Sequence, residues 1–140
     1  MASIILISTF IWIGFISAIS FMESWLKFKA PGVTLPLGLG IGKIVFKALN
    51  RVESFLAIII LAGLLYSKHP AGIMVKFWFI TAIVVLAIQT IWMLPALEKR
   101  AQLLIEGKRP SSSKLHMWFV VMETTKVICL FSFGFSFLQF

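Results

Sequence analysis

Aspartate is absent from this 140-residue chain, and all five acidic residues are glutamates. Charged residues of both signs make up only 13% of the sequence, whereas soluble domains carry about 25%. Hydrophobic residues reach 60%, and the mean hydropathy is +1.02. A water-soluble protein of this size could not cover so much apolar surface. The composition therefore predicts an integral membrane protein.

Cysteine is almost absent too, since Cys129 is the single one and lies in an apolar run. One cysteine excludes an internal disulfide and a CxxC redox enzyme. No serine, histidine and acid follow a recognisable triad spacing, and no Cys/His cluster has zinc-ligand spacing. The run GLGIGK at 38–43 departs from the phosphate-loop spacing, and we interpret it as a flexible, helix-breaking loop. We predict no catalytic residue, no metal and no cofactor, and hence no enzyme.

Long uncharged runs predict the architecture. A bilayer core of about 30 Å needs about 20 helical residues. Two runs reach that length, and two shorter ones reach it only if their helices extend backward through charged residues. We predict an all-α four-helix bundle in a single domain, 1–140, with spans at about 4–22, 44–66, 77–97 and 115–138.

Basic residues predict the orientation. The net charge of +8 could indicate nucleic acid, but nucleic-acid binders carry it on a solvated face. Apart from Lys126 inside the fourth span, five basic residues lie between the first two uncharged runs and five between the last two, against two in the middle turn, Lys68 and Lys76. The positive-inside rule then makes both long loops cytoplasmic and both termini external. We expect a multi-pass membrane protein.

The same basic residues are candidates for contact with anionic lipid head groups, because cationic side chains next to membrane spans bind such lipids. The candidates are Lys27, Lys29, Lys43, Arg51 and Arg100. The expected partners are the lipid bilayer, further copies of the chain, or other membrane subunits, and no nucleic acid.

Charged side chains inside the spans are the strongest sign of a site. Counted at 1.5 Å per residue, Glu123, Lys126 and Glu53 lie about 6, 10 and 8 Å inside the hydrocarbon edge. A charge at the centre of a membrane helix costs about 2.5–3.5 kcal/mol, so such residues face the bundle interior and find partners. At similar depth lie Gln89 and Thr90 on the third span and Ser17 and Ser20 on the first. We predict that all four helices contribute to one polar layer.

Two interpretations of this layer remain open. It could be a structural network that determines helix packing through interhelical hydrogen bonds. It could instead bind a proton, a cation or a small polar solute. His116 is a further candidate, because it lies seven residues before Glu123 and so on nearly the same helix face. Its ordinary role would be a hydrogen bond at the membrane interface, and a lone metal or haem ligand is the less favoured reading.

Four features of the sequence form a distinctive set: FMESWLKFKAPG at 21–32, ALNRVE at 48–53, LPALEKR at 94–100 and the series His116, Glu123, Lys126. In these features the chain resembles small uncharacterised bacterial four-span membrane proteins. The resemblance covers most of the chain. It implies a multi-pass protein of a bacterial cytoplasmic (inner) membrane and carries no particular chemistry.

Three functions are consistent with these patterns. The first is a non-catalytic homo-oligomer or accessory subunit of a membrane complex with a buried polar layer. The second is a transporter-type protein that binds a proton, cation or small polar solute at Glu53, Glu123 and Lys126. The third is an embedded lipid-modifying enzyme. Geometry discriminates between them, since a dry interbonded layer favours the first and a solvent-accessible one the others.

Overall fold

The computed structural model describes residues 1–67, 72–112 and 114–139. Within these residues 87% of the chain is helical and no strand occurs, which confirms the all-α prediction. Four helices are long and apolar enough to cross a membrane: Ala2–Lys29, Leu35–Tyr66, Ile73–Ile105 and Leu115–Leu138. Lys68, one of the two basic residues predicted in the middle turn, lies outside the described residues.

The first span is built from four segments. Helix α1 (Ala2–Ile16) is followed by a π-helical segment, Ser17–Glu23, then by α2 (Ser24–Leu26) and a 3-10 turn, Lys27–Lys29. The second span is a single helix, α3 (Leu35–Tyr66). The helices extend beyond the predicted 4–22 and 44–66 because a helix can continue into the head-group region once it has left the hydrocarbon core.

The glycine-rich run at 38–43 is helical, contrary to the loop expected from its composition. Thr34 caps α3 by accepting a hydrogen bond from the Leu37 N–H at 3.5 Å, and Pro36 sits in the first turn, where a missing N–H costs nothing. A Cβ at Gly38 would overlap the Phe28 ring, and one at Gly42 would lie 3.0 Å from Lys27 Nζ. The glycines therefore let the end of the first span pack against α3.

The third span contains helices α4 (Ile73–Ile88) and α5 (Leu94–Ile105), joined by a π-helical segment, Gln89–Met93. Pro95 explains the wide turn, because a proline ring collides with the carbonyl four residues earlier and supplies no N–H. The third span thus continues beyond the predicted 77–97 and ends at Ile105. Gly107 ends it at φ +76°, where Lys108 N–H donates to Leu103 O and Gly107 N–H to Leu104 O, the bond pair of a Schellman motif.

The fourth span, α6 (Leu115–Leu138), packs against α4 and α1. Phe79 and Phe133 bring α4 and α6 together with ring centroids 5.3 Å apart. On α3, Gly63 admits the buried Ile5 of α1, whose Cγ1 would lie 2.7 Å from an added Cβ. The opposite faces carry large exposed apolar side chains such as Phe55, which suits a surrounding of lipid.

Both hairpins turn at the same end of the bundle, where residues 30–34 join the first two spans and where α5 ends and α6 begins. Most of the basic residues lie at or near this end, so we call it the basic end. The first residues of α1 and α4 and the last described residues of α3 and α6 lie at the opposite end.

Candidate functional site

Four polar side chains from three spans meet in the bundle interior. We call them the charged cluster: Glu53 on α3, Gln89 at the start of the second π-helical segment, and Glu123 and Lys126 on α6. All four are buried, and Lys126 is 0% exposed. The cluster therefore lies within the protein rather than against lipid.

Lys126 is the centre of the cluster. Its Nζ lies 2.5 Å from Glu53 Oε1, 2.6 Å from Gln89 Oε1 and 3.1 Å from Glu123 Oε1. An ammonium carries three N–H donors and no acceptor, so these three oxygens use its whole capacity. The ion pair with Glu53 joins α6 to α3, and the bond to Gln89 joins α6 to the third span.

Gln89 is bonded at both ends of its amide. Its Oε1 accepts from Lys126, while its Nε2 donates to Glu123 Oε1 at 2.7 Å. The π-helical segment that Pro95 explains begins at this residue, and such segments occur frequently at functional positions. The buried amide of Gln89 thus lies between Lys126 and Glu123, at the residue where the π-helical segment begins.

Trp12 of α1 completes the arrangement, and the sequence patterns missed it. Its Nε1–H donates to Glu53 Oε1 at 2.9 Å, and the residue is fully buried. A buried indole needs an acceptor. A useful signal was available, because tryptophans of membrane proteins concentrate at the interfaces and Trp12 lies mid-span. Through Trp12, every span contributes to the network.

The other predicted members of the layer lie outside the cluster. Ser17 is exposed and donates to the Ile13 carbonyl at 2.8 Å. Thr90 is exposed, donates to the Leu86 carbonyl and accepts from Asn50 Nδ2 at 2.8 Å. Hydroxyls in helices often bond back to their own backbone in this way. Ser20 is buried, but its Oγ has no partner in the described part of the chain.

One oxygen of the cluster is unsatisfied. Glu123 Oε2 is buried and makes no hydrogen bond within residues 1–67, 72–112 and 114–139. A small cavity of about 10 Å³ lies beside it, lined by Glu53, Gln89 and Asn50 among others. That volume is about the minimum for one water molecule. The cluster holds two carboxylates and one ammonium, so with all three ionised it carries one net negative charge.

His116 lies away from the cluster, exposed at the start of α6. It borders a larger cavity of about 140 Å³ at the basic end. His116 and Glu123 lie on nearly the same face of α6, as their spacing predicts, but His116 does not line the small cavity at the cluster. No group of three His, Cys, Asp or Glu residues suited to a metal ion occurs among the described residues.

The predicted head-group lysines and arginines differ in environment. Lys27 is paired with Glu23 at 3.3 Å, and Lys29 Nζ lies 4.4 Å from the centroid of the Trp25 ring. Lys43 donates to Gln102 Oε1 at 3.0 Å, and Arg100 donates to the Ser111 carbonyl at 2.7 Å. Arg51 is exposed on α3.

The chain matches no family model, no curated protein and no solved structure.

Replacing Trp12 with phenylalanine tests the indole bond. Trp12→Phe keeps most of the ring volume but removes a donor to a buried carboxylate, so we expect it to lower stability by about 2 kcal/mol. The control is Trp25→Phe at an exposed indole that donates to the Phe21 carbonyl, expected to change stability by less than about 0.5 kcal/mol. Thermal unfolding of both purified variants in detergent measures the difference, and equal midpoints would contradict the assigned role.

Proposed function

We propose that the protein is a non-catalytic, multi-pass membrane component, acting as a homo-oligomer or as a subunit of a larger complex, in which the charged cluster holds the spans in one arrangement. The observation that carries this proposal is the saturation of Lys126, whose three donors meet Glu53, Gln89 and Glu123. The adjoining cavity of about 10 Å³ leaves no room for a solute larger than water.

The energetics favour a role in specificity. Taking charges out of water costs several kcal/mol per ion, and a buried pair recovers this only with good geometry and further hydrogen bonds. Apolar helix faces alone would allow several rotations of one helix against another. A single arrangement of these helices satisfies Lys126, so the cluster discriminates against the others.

Removing the ammonium tests this role. Lys126→Met keeps the length of the side chain but leaves two buried carboxylates without their cation, so we expect a loss of about 3–5 kcal/mol. The matched control is Lys76→Met at an exposed position on α4, with an expected change below about 0.5 kcal/mol. Thermal unfolding in detergent provides the measurement.

A double variant distinguishes the loss of charge compensation from general misfolding. Glu123→Gln/Lys126→Met removes the repulsion between the carboxylates, so it should recover part of the stability lost in Lys126→Met. Unchanged stability of Lys126→Met, or a double variant less stable than the single one, would contradict the proposal that these charges hold the spans in one arrangement.

A second candidate function is supported by the unpartnered Glu123 Oε2. A buried carboxylate oxygen beside a water-sized cavity, in a cluster with one excess negative charge, is suited to accept a proton or a small cation. We infer from this that the alternative function is a transporter-type activity at Glu53, Glu123 and Lys126.

Proton flux discriminates between the two functions. In proteoliposomes with an internal pH indicator, a transporter would dissipate an imposed pH gradient, and Glu123→Gln would abolish that flux. The control is Glu106→Gln at an exposed carboxylate that pairs with Lys108, which should leave the flux intact. Absence of flux in the unaltered protein would exclude proton transport and leave the structural role.

We further propose a bacterial cytoplasmic membrane as the location, with the basic end in the cytoplasm and both termini external. Ten of the 13 basic residues lie at or near the basic end. Cytoplasmic loops of membrane proteins carry an excess of Lys and Arg, so this end is expected to face the cytoplasm. The resemblance to small bacterial four-span membrane proteins supports the same location.

Cysteine labelling tests this orientation. With a membrane-impermeant maleimide on intact bacterial cells, Gly72→Cys at the opposite end should be labelled. Ser112→Cys at the basic end should react only after permeabilisation. The native Cys129 is buried and should contribute little background. The reverse labelling pattern would overturn the proposed sidedness.

A further inference from the structure

A cavity of about 140 Å³ opens at the basic end, between the end of the first span, the start of α3, helix α5 and the start of α6. Close packing of the first span creates one of its walls. Phe28 and Lys27 lie over Gly38 and Gly42, where no side chain stands between the two segments. The cavity is therefore part of the fold rather than a gap between mobile loops.

Apolar side chains form the walls. Phe28, Leu39, Phe46, Leu97 and Phe119 all line the cavity. An apolar cavity of about 150 Å³ remains dry and takes up molecules as large as benzene. A hydrocarbon segment is thus a suitable occupant, whereas a polar solute would leave its hydrogen bonds unsatisfied against these walls.

The rim carries positive charge. Three lysines line the cavity, Lys27, Lys43 and Lys47, against one acidic residue, Glu98. Lys27 is paired with Glu23, and Lys47 lies 3.8 Å from Glu98. Among the residues that the structure describes, Lys43 has only the neutral amide oxygen of Gln102 as partner. Its charge is therefore not compensated by a carboxylate and is available to an anion.

The cavity lies at the depth of lipid head groups. Counted from Tyr66 at 1.5 Å per residue, Phe46 is about 30 Å along α3, which is the thickness of the hydrocarbon core. Gly38 lies about 12 Å further out by the same count. By this count the apolar walls begin at the edge of the core, and Lys43 lies about 5 Å beyond that edge, toward the head-group phosphates.

We propose that this cavity binds one anionic phospholipid, with a segment of acyl chain between Phe46, Leu97 and Phe119 and the phosphate at Lys43. The apolar walls, the uncompensated ammonium and the depth all match this one class of molecule. His116 at the same rim supplies a further hydrogen-bonding group for the head group. This site is separate from the charged cluster and does not depend on the function proposed for it.

Native mass spectrometry of the full-length purified protein tests the proposal with two probes, phosphatidylglycerol and phosphatidylcholine of identical acyl chains. We expect one retained phosphatidylglycerol per chain and weaker retention of phosphatidylcholine. Lys43→Gln should weaken phosphatidylglycerol binding about fivefold, the contribution of one basic residue near anionic lipid, and should leave phosphatidylcholine unchanged. The control Lys99→Gln removes an equal charge from α5 at an exposed position that does not line the cavity.

A filling substitution tests the chain-binding part. Ala101→Phe on α5 places a ring in the cavity and should abolish retention of both lipids, whereas Ala96→Phe on the same helix, outside the cavity lining, should retain them. Equal retention of the two lipids, unchanged binding in Ala101→Phe, or a control with the effect of its partner would overturn the proposal. So would displacement of phosphatidylglycerol by inorganic phosphate, since that result assigns the site to the free anion. Should Ala101→Phe fail to fold, the Lys43→Gln comparison decides by itself.

Discussion

The buried ammonium of Lys126 is the interaction on which the rest of the bundle depends. A charge in hydrocarbon is costly, and here it is met by two carboxylate oxygens and one amide oxygen within 3.1 Å. Two of these partners make further hydrogen bonds, since Glu53 also accepts from the Trp12 N–H and Gln89 also donates to Glu123. The partners of one cation therefore link side chains of all four spans in one hydrogen-bonded network.

Backbone features support this arrangement. Pro95 accounts for the π-helical segment that begins at Gln89. Gly63 lets α1 approach α3 closely near the opposite end. Gly38 and Gly42 do the same for the end of the first span. The residues that look like helix breakers in the sequence are thus placed where the backbone must widen or where two segments must touch. This is why the glycine-rich run forms part of a 32-residue helix.

The two cavities form one series from the basic end toward the cluster. The larger and the smaller cavity share three lining residues, Phe46, Leu94 and Phe119. These side chains line both the apolar cavity with its three lysines and the small cavity at Glu123. An occupant of the larger cavity would therefore contact residues that also line the smaller one. The proposed lipid site and the charged cluster are adjacent in this sense.

Much of this protein could be deduced from its sequence, because the cost of exposing polar groups to hydrocarbon leaves few solutions. The predicted 115–138 coincides with α6, and the depth count brought Glu53, Gln89, Glu123 and Lys126 to one level. Level alone does not define direction, however. The helices are apolar on nearly all faces, so no sequence periodicity shows which way a side chain points. Only the tertiary structure placed Trp12 in the network and left Ser17 and Thr90 outside it. The rotation of each helix depends on its packing and on the π-helical segments, which the sequence does not show. In addition, the hydroxyls of Ser17 and Thr90 can donate to carbonyls of their own helix, so they need no partner in the cluster.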